Sequence, residues 1–145
     1  MDIQIVIDKS IGEDSIMFKV KEMTPEYTKL IEQLQHLPYR LIGSKGNKKY
    51  QIDYVSLLKI NVIDKKIYAT TDDNQNFILS ETLKELSNKL PNEFLRISNS
   101  EIVNANKIAS LELTFGGKIK IFLKSNQVTY SSRGYLKEIK GYFGL

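Results

Sequence analysis

A mostly β fold with short helices, of the α+β class, is what this sequence predicts. Apolar and polar residues alternate in short runs, the period of half-buried strands. Clusters of turn-forming residues at 44–47, 63–65, 72–74 and 116–117 separate those runs. Helical spacing of apolar residues is confined to three short stretches. With 145 residues, 41% of them hydrophobic, the chain holds one ordinary domain or a compact domain with a small appendage.

Taken in order, Ile3, Ile5 and Ile7 alternate with Gln4 and Val6, and Ile16, Phe18 and Val20 repeat that period, so two strands are expected. Thr24-Pro25 forms a cap and first turn, with Glu26 placed well for the helix N-terminus. Tyr27, Leu30, Ile31, Leu34 and Leu37 then make one apolar stripe that Pro38 stops. Residues 1–39 thus read as a small strand-strand-helix extension. From residue 40 the texture changes to hairpins: 40–42 with 50–52, 57–62 with 66–71, and a strand at 76–79. Thr82 and Glu85 fit a capping box for a helix whose stripe is Leu83, Leu86 and Leu90, ending at Pro91. Ile97, Ile102 and Val103 are expected to be buried around a polar turn. Residues 108–115 and 118–124 form a hairpin about Gly116-Gly117, with Ile119, Ile121 and Leu123 on one face and Lys118, Lys120, Phe122 and Lys124 on the other. Ser131 or Ser132 caps a last short helix, with Tyr135, Leu136, Ile139 and Phe143 facing inward.

Charge is unevenly spread. The chain carries +4 in all, but residues 96–145 hold 8 basic and 3 acidic groups. A basic C-terminal third favours a polyanion or an anionic surface as partner over a random one, with a merely solvated basic face as the bland alternative. Cysteine is absent, which excludes disulfides and thiolate chemistry. No stretch has the pattern of a secretion signal or the length of a bilayer-spanning segment, and the cytoplasm is the expected location.

Enzyme readings lack parts. His36 is the one histidine and sits beside the apolar stripe of the first helix. Asp72-Asp73 resemble a paired acid but lie in a turn with Asn74, where solvation is the simpler role. Gly43-Ser44-Lys45-Gly46 lacks the order of a phosphate loop. No cofactor, metal or small-molecule substrate is expected. Three polar elements remain. The Asn99 amide, between Ser98 and Ser100, suits either a bidentate contact to adenine or local turn hydrogen bonds. Arg133 has a fork for guanine or phosphate, with Ser131 and Ser132 beside it as phosphate donors, or it simply faces solvent. Lys65 and Lys66 sit at a hairpin tip, placed either to enter a groove or to keep the tip soluble.

Two stretches carry a family resemblance: FLRISNSEIVNANKI at residues 94–108 and VTYSSRGYLKEI at residues 128–139. At this spacing the chain resembles, over residues 40–145, the LytTR-type DNA-binding domain of bacterial transcription regulators. The resemblance implies an elongated, mostly β fold that inserts loop residues into successive major grooves of double-stranded DNA. It also implies pairs of molecules on direct repeats, and hence a homodimer at least on DNA. Base contacts then fall at Lys65, Asn99 and Arg133, with Asp64 or Lys66 as alternatives at the first position. Arg96, Ser98 and Ser100 match the motif as phosphate contacts, while Asn104 is expected to fix a turn. Lys66, Lys118, Lys120, Lys124, Ser131 and Ser132 complete the expected phosphate set, and Glu101 is expected to point away from the duplex or lie at its rim. The front end is similar to small stand-alone members without a receiver domain, in which a membrane protein restrains the regulator. A β-rich adaptor coupled to a membrane sensor is the alternative function.

Overall fold

The computed structural model describes residues 2–35 and 39–145; His36, Leu37 and Pro38, assigned above to the end of the first helix, lie outside the described residues. Residues 2–24 contain no strand. Ile3, Ile5 and Ile7 are 85–86% exposed, so the two expected N-terminal strands are corrected to irregular chain. Alternation names the face a strand would bury, but a strand exists only when a neighbour accepts its backbone hydrogen bonds. The first element is the helix α1 (Pro25–Gln35). The Thr24 hydroxyl accepts the Tyr27 N–H at 3.3 Å and its carbonyl accepts the Thr28 N–H at 3.0 Å, as a cap should.

Ten strands and two further helices follow: β1 (Leu41–Lys45), β2 (Lys48–Ile52), β3 (Leu57–Ile63), β4 (Lys66–Thr71), β5 (Asn76–Leu79), α2 (Leu83–Lys89), β6 (Phe94–Ser98), β7 (Glu101–Asn104), β8 (Ile108–Leu113), β9 (Ile119–Leu123), β10 (Val128–Tyr130) and α3 (Leu136–Phe143). The first seven strands form one antiparallel sheet in the order β2-β1-β5-β4-β3-β7-β6; the last three form a second, β10-β9-β8. The expected hairpins are therefore present, and β10 is an addition that the sequence pattern had hidden within a motif.

The large sheet is the middle layer. Leu57, Ile60 and Ile102 point to the side of α2, where Leu83, Leu86 and Leu90 close the first core. Leu58, Ile97 and Val103 point the other way, meeting Ile119, Ile121 and Leu123 of the small sheet and Ile139 of α3. Ile102 and Val103 are adjacent in sequence and serve different cores, because successive side chains of a strand take opposite faces. Thr82 caps α2, its hydroxyl accepting the Glu85 N–H at 3.2 Å. Asn104, 3% exposed, donates to the Leu57 carbonyl at 2.8 Å and accepts the Asn106 N–H at 3.0 Å, fixing the turn after β7 as expected.

Candidate nucleic-acid interface

Register brings the polar loops to one end of the molecule. Asn61 of β3 pairs with Glu101 of β7, and Val62 N–H donates to the Ser100 carbonyl at 2.9 Å. The β3–β4 turn (Asp64, Lys65) and the β6–β7 turn (Asn99, Ser100) therefore leave the large sheet at the same end. Tyr130 of β10 pairs with Lys120 of β9, so the start of β9 and the end of β10 also lie together. The segment after β10 is joined to the large sheet by the Ser132 N–H, which donates to the Ile97 carbonyl at 2.8 Å. Arg133 opens a single 3₁₀ turn, Arg133–Tyr135, that runs into α3. Lys65, Asn99 and Arg133 are all exposed, each on a separate loop.

The Asn99 turn is held rigidly. Arg96 donates from Nε to the Ser98 carbonyl and from Nη2 to the Asn99 carbonyl, both at 2.8 Å. A strand irregularity between Arg96 and Ser98 turns this segment just before the loop. The Ser98 hydroxyl accepts the Ser100 N–H at 3.2 Å. Tyr135 reaches across from the 3₁₀ turn and donates its hydroxyl to Asn99 Oδ1 at 2.8 Å. The Arg96 guanidinium carbon lies 5.8 Å from the centre of the same ring. Asn99 and the Arg133 segment thus form one hydrogen-bonded unit.

At the β3–β4 tip, Asp64 and Lys65 have φ of 50° and 64°. Two successive left-handed residues make the tight hairpin turn that matches strand twist. Glycine or asparagine takes this conformation with the least strain, whereas lysine pays about 1–2 kcal/mol for it. Arg133 lies over the Gly116-Gly117 turn of the β8–β9 hairpin: a Cβ added to Gly116 would stand 3.4 Å from its Nη2. Lys118 is exposed at that same tip, next to a Phe115 whose ring is open to solvent.

Several expected phosphate contacts change role. Ser131 is 1% exposed, and its hydroxyl accepts the Ile119 N–H at 2.9 Å. It completes the β9–β10 edge in place of a missing strand partner and is corrected from phosphate donor to structural residue. It caps no helix either. Arg96 clamps the Asn99 turn with two of its five donors and lies over the Tyr135 ring, a duty beside any contact its remaining donors make to phosphate. Lys124 follows β9 at the end away from Arg133, beside the Lys107–Asp72 pair, and does not join the cluster. Lys120 is not among those that change role: it stands on the outer face of the small sheet, its ammonium 5.1 Å from the Phe122 ring centre. Glu101 turns inward, accepting the Thr129 hydroxyl at 2.6 Å with Lys59 at 3.9 Å. Lys66, Ser100 and Ser132 remain at the loop end. Sequence reasoning missed Tyr135, read above only as an inward residue. Its ring does pack against the second core, and nothing in the local pattern signals where the hydroxyl goes.

Comparison with known proteins identifies the family of this fold. The family model of the LytTr DNA-binding domain matches residues 47–144. The chain is 35% identical over 142 residues to an uncharacterized HTH-type transcriptional regulator of Staphylococcus aureus (strain NCTC 8325 / PS 47), covering 97% of this chain and 96% of that protein. A counterpart in strain MRSA252 is 34% identical over the same coverage. Among the described residues no two helices are joined by a short turn, so the helix-turn-helix label in those names has no counterpart in this fold. The fold is similar to the LytTr DNA-binding domain of a Bacillus cereus protein described as a methyl-accepting/DNA response regulator, with TM-score 0.69 and 18% identity over 73% of this chain and 97% of that one. The family model and these relatives show that the chain belongs to the LytTr DNA-binding domain family, a family of DNA-binding regulatory modules rather than enzymes.

Proposed function

We propose that this protein is a sequence-specific transcription regulator that reads double-stranded DNA through side chains on three loops. The observation that carries this reading is the exposure of Asn99 and Arg133 on two loops joined by hydrogen bonds, at the sheet end that also carries Lys65. Asn99 offers an amide to a purine edge and Arg133 a fork to guanine, each worth about 1–3 kcal/mol of discrimination when bidentate. Lys66, Ser98, Ser100, Lys118, Lys120 and Ser132 supply charge or hydroxyls for phosphates. The backbone at Lys65 supports its use, because the chain keeps a lysine, at a cost, in a turn that glycine or asparagine would make with less strain.

Two copies on a direct repeat would raise affinity through effective concentration, which suits a module of this size. Residues 1–39 are the part of the chain proposed to contact a second copy or a regulatory membrane protein, and the cytoplasm is the proposed location. Selection from randomised duplexes first supplies a preferred site. Replacing Arg133 by Ala should then weaken binding to that site by roughly 5- to 150-fold while random duplex loses far less. Equal losses on both would reduce Arg133 to a phosphate contact.

A further inference from the structure

We infer that Tyr135 is a positioning residue for base recognition: its hydroxyl, donating to Asn99 Oδ1, holds the amide with its amino end toward the duplex. This inference rests on the DNA-reading proposal above. An asparagine amide carries a donor end and an acceptor end of nearly the same shape. A free, exposed asparagine can rotate to present either, and so discriminates poorly between a base edge that donates and one that accepts. Asn99 is exposed, but it is not free. Its Oδ1 accepts the Tyr135 hydroxyl at 2.8 Å, and its carbonyl is held by Arg96 Nη2 at 2.8 Å.

Tyr135 is itself anchored. Its ring packs against the core between the two sheets, and the Arg96 guanidinium stands over it. Its backbone N–H donates to the Ser132 carbonyl at 3.2 Å. With Oδ1 turned to the phenol, the amino group is the end left to lead into the groove. Purine N7 and guanine O6 accept from such a group; the exocyclic amine of cytosine presents a donor and is rejected. Adenine is acceptable because its N7 takes the amino group, whereas cytosine offers no acceptor there. Asn99 therefore favours a base that presents an acceptor, a purine or thymine through its O4, and disfavours cytosine. Because Tyr135 lies two residues from Arg133, the two base contacts are also mechanically coupled.

The test uses the full chain and its selected duplex, with each base pair of the site varied in turn. The pair at which N99A loses discrimination is the pair Asn99 reads. Y135F removes one oxygen and keeps the ring, its packing and its contact with the Arg96 guanidinium. The expected result is a loss of discrimination at that pair alone, about fivefold or more. Random-duplex affinity and the thermal midpoint should stay at their wild-type values, and adding N99A to Y135F should cost little more. N99D, which keeps an oxygen for Tyr135 and swaps the amino group for an acceptor, should shift the preference at that pair towards cytosine. Unchanged discrimination in Y135F, a uniform loss at every pair, or an exclusion of cytosine that survives in N99D would each overturn the inference. A wild-type protein that binds every duplex alike would instead remove the base-reading proposal itself.

Discussion

Ser131 and Ser132 are neighbours of the same type, yet the fold gives them opposite duties. Ser131 is buried and returns a hydrogen bond to the Ile119 N–H, a donor that would otherwise face no acceptor at the end of the small sheet. Ser132 directs its backbone N–H to the Ile97 carbonyl and keeps its side chain out of any cap. Replacing Ser131 by Ala should therefore destabilise the protein by about 1–3 kcal/mol, the cost of an unsatisfied buried donor. Urea denaturation measures that loss. DNA affinity well below the midpoint should be unchanged, whereas a phosphate contact would show the reverse pattern. Arg96 illustrates the same point: a cation in a DNA-binding motif can spend its donors on shaping a loop.

Among the elements, the β3–β4 hairpin combines strain with exposure. Replacing Lys65 by Gly relieves the left-handed backbone but frees the unfolded chain, two effects of about 1 kcal/mol with opposite signs. Thermal stability should accordingly stay within about 1 kcal/mol of wild type. DNA binding should weaken, and the slope of log affinity against log salt should fall by about 0.9 if Lys65 neutralises one phosphate. An unchanged slope would confine Lys65 to base contact or solvent. Gly43 shows why a glycine-lysine run need not hold a phosphate. It lies within β1, where an added Cβ would stand 2.5 Å from Phe77 Cβ and 2.7 Å from Ile52 Cδ1. Close packing of β1 on its neighbours accounts for the glycine, and Lys45 reaches Gln75 at 2.8 Å instead of a ligand.

For the molecule as a whole, high pH should be the weak side. Tyr54, half-buried with its hydroxyl donating to the Tyr39 carbonyl at 2.9 Å, has its pKa pushed from 10.0 up to about 12, first by burial and then by the Glu93 carboxylate. Burial, with the Glu81 charge behind it, also raises Tyr39. In the unfolded chain these phenols ionise near their ordinary value, while the folded state holds on to its protons. Stability is thus intact below pH 10 and declines as pH rises from about 10 to 12. Chemical denaturation across that window should show the decline, and it should be shallower in Y54F, which lacks one of the two titrations. A midpoint independent of pH up to 12 would contradict the burial of both phenols.

Local chemistry made much of this fold legible. The turn clusters, the Thr82 cap and the alternation in β3, β4 and β9 act over a few residues, so their outcome is written nearby in the chain. The same alternation misled at Ile3, Ile5 and Ile7, where no partner strand follows. Motif residues could be named from the sequence, but not which of them clamp a loop, as Arg96 does, or complete a sheet, as Ser131 does. Sequence alone determined the family, the hairpin succession and the exposed polar loops, because patterning and turn preference are short-range. Only the tertiary structure decided that Asn99 and Arg133 share one hydrogen-bonded unit, that Ser131 is buried and that Tyr135 reaches Asn99. Those facts depend on strand register and on packing between residues as far apart as 99 and 135, which no local pattern encodes.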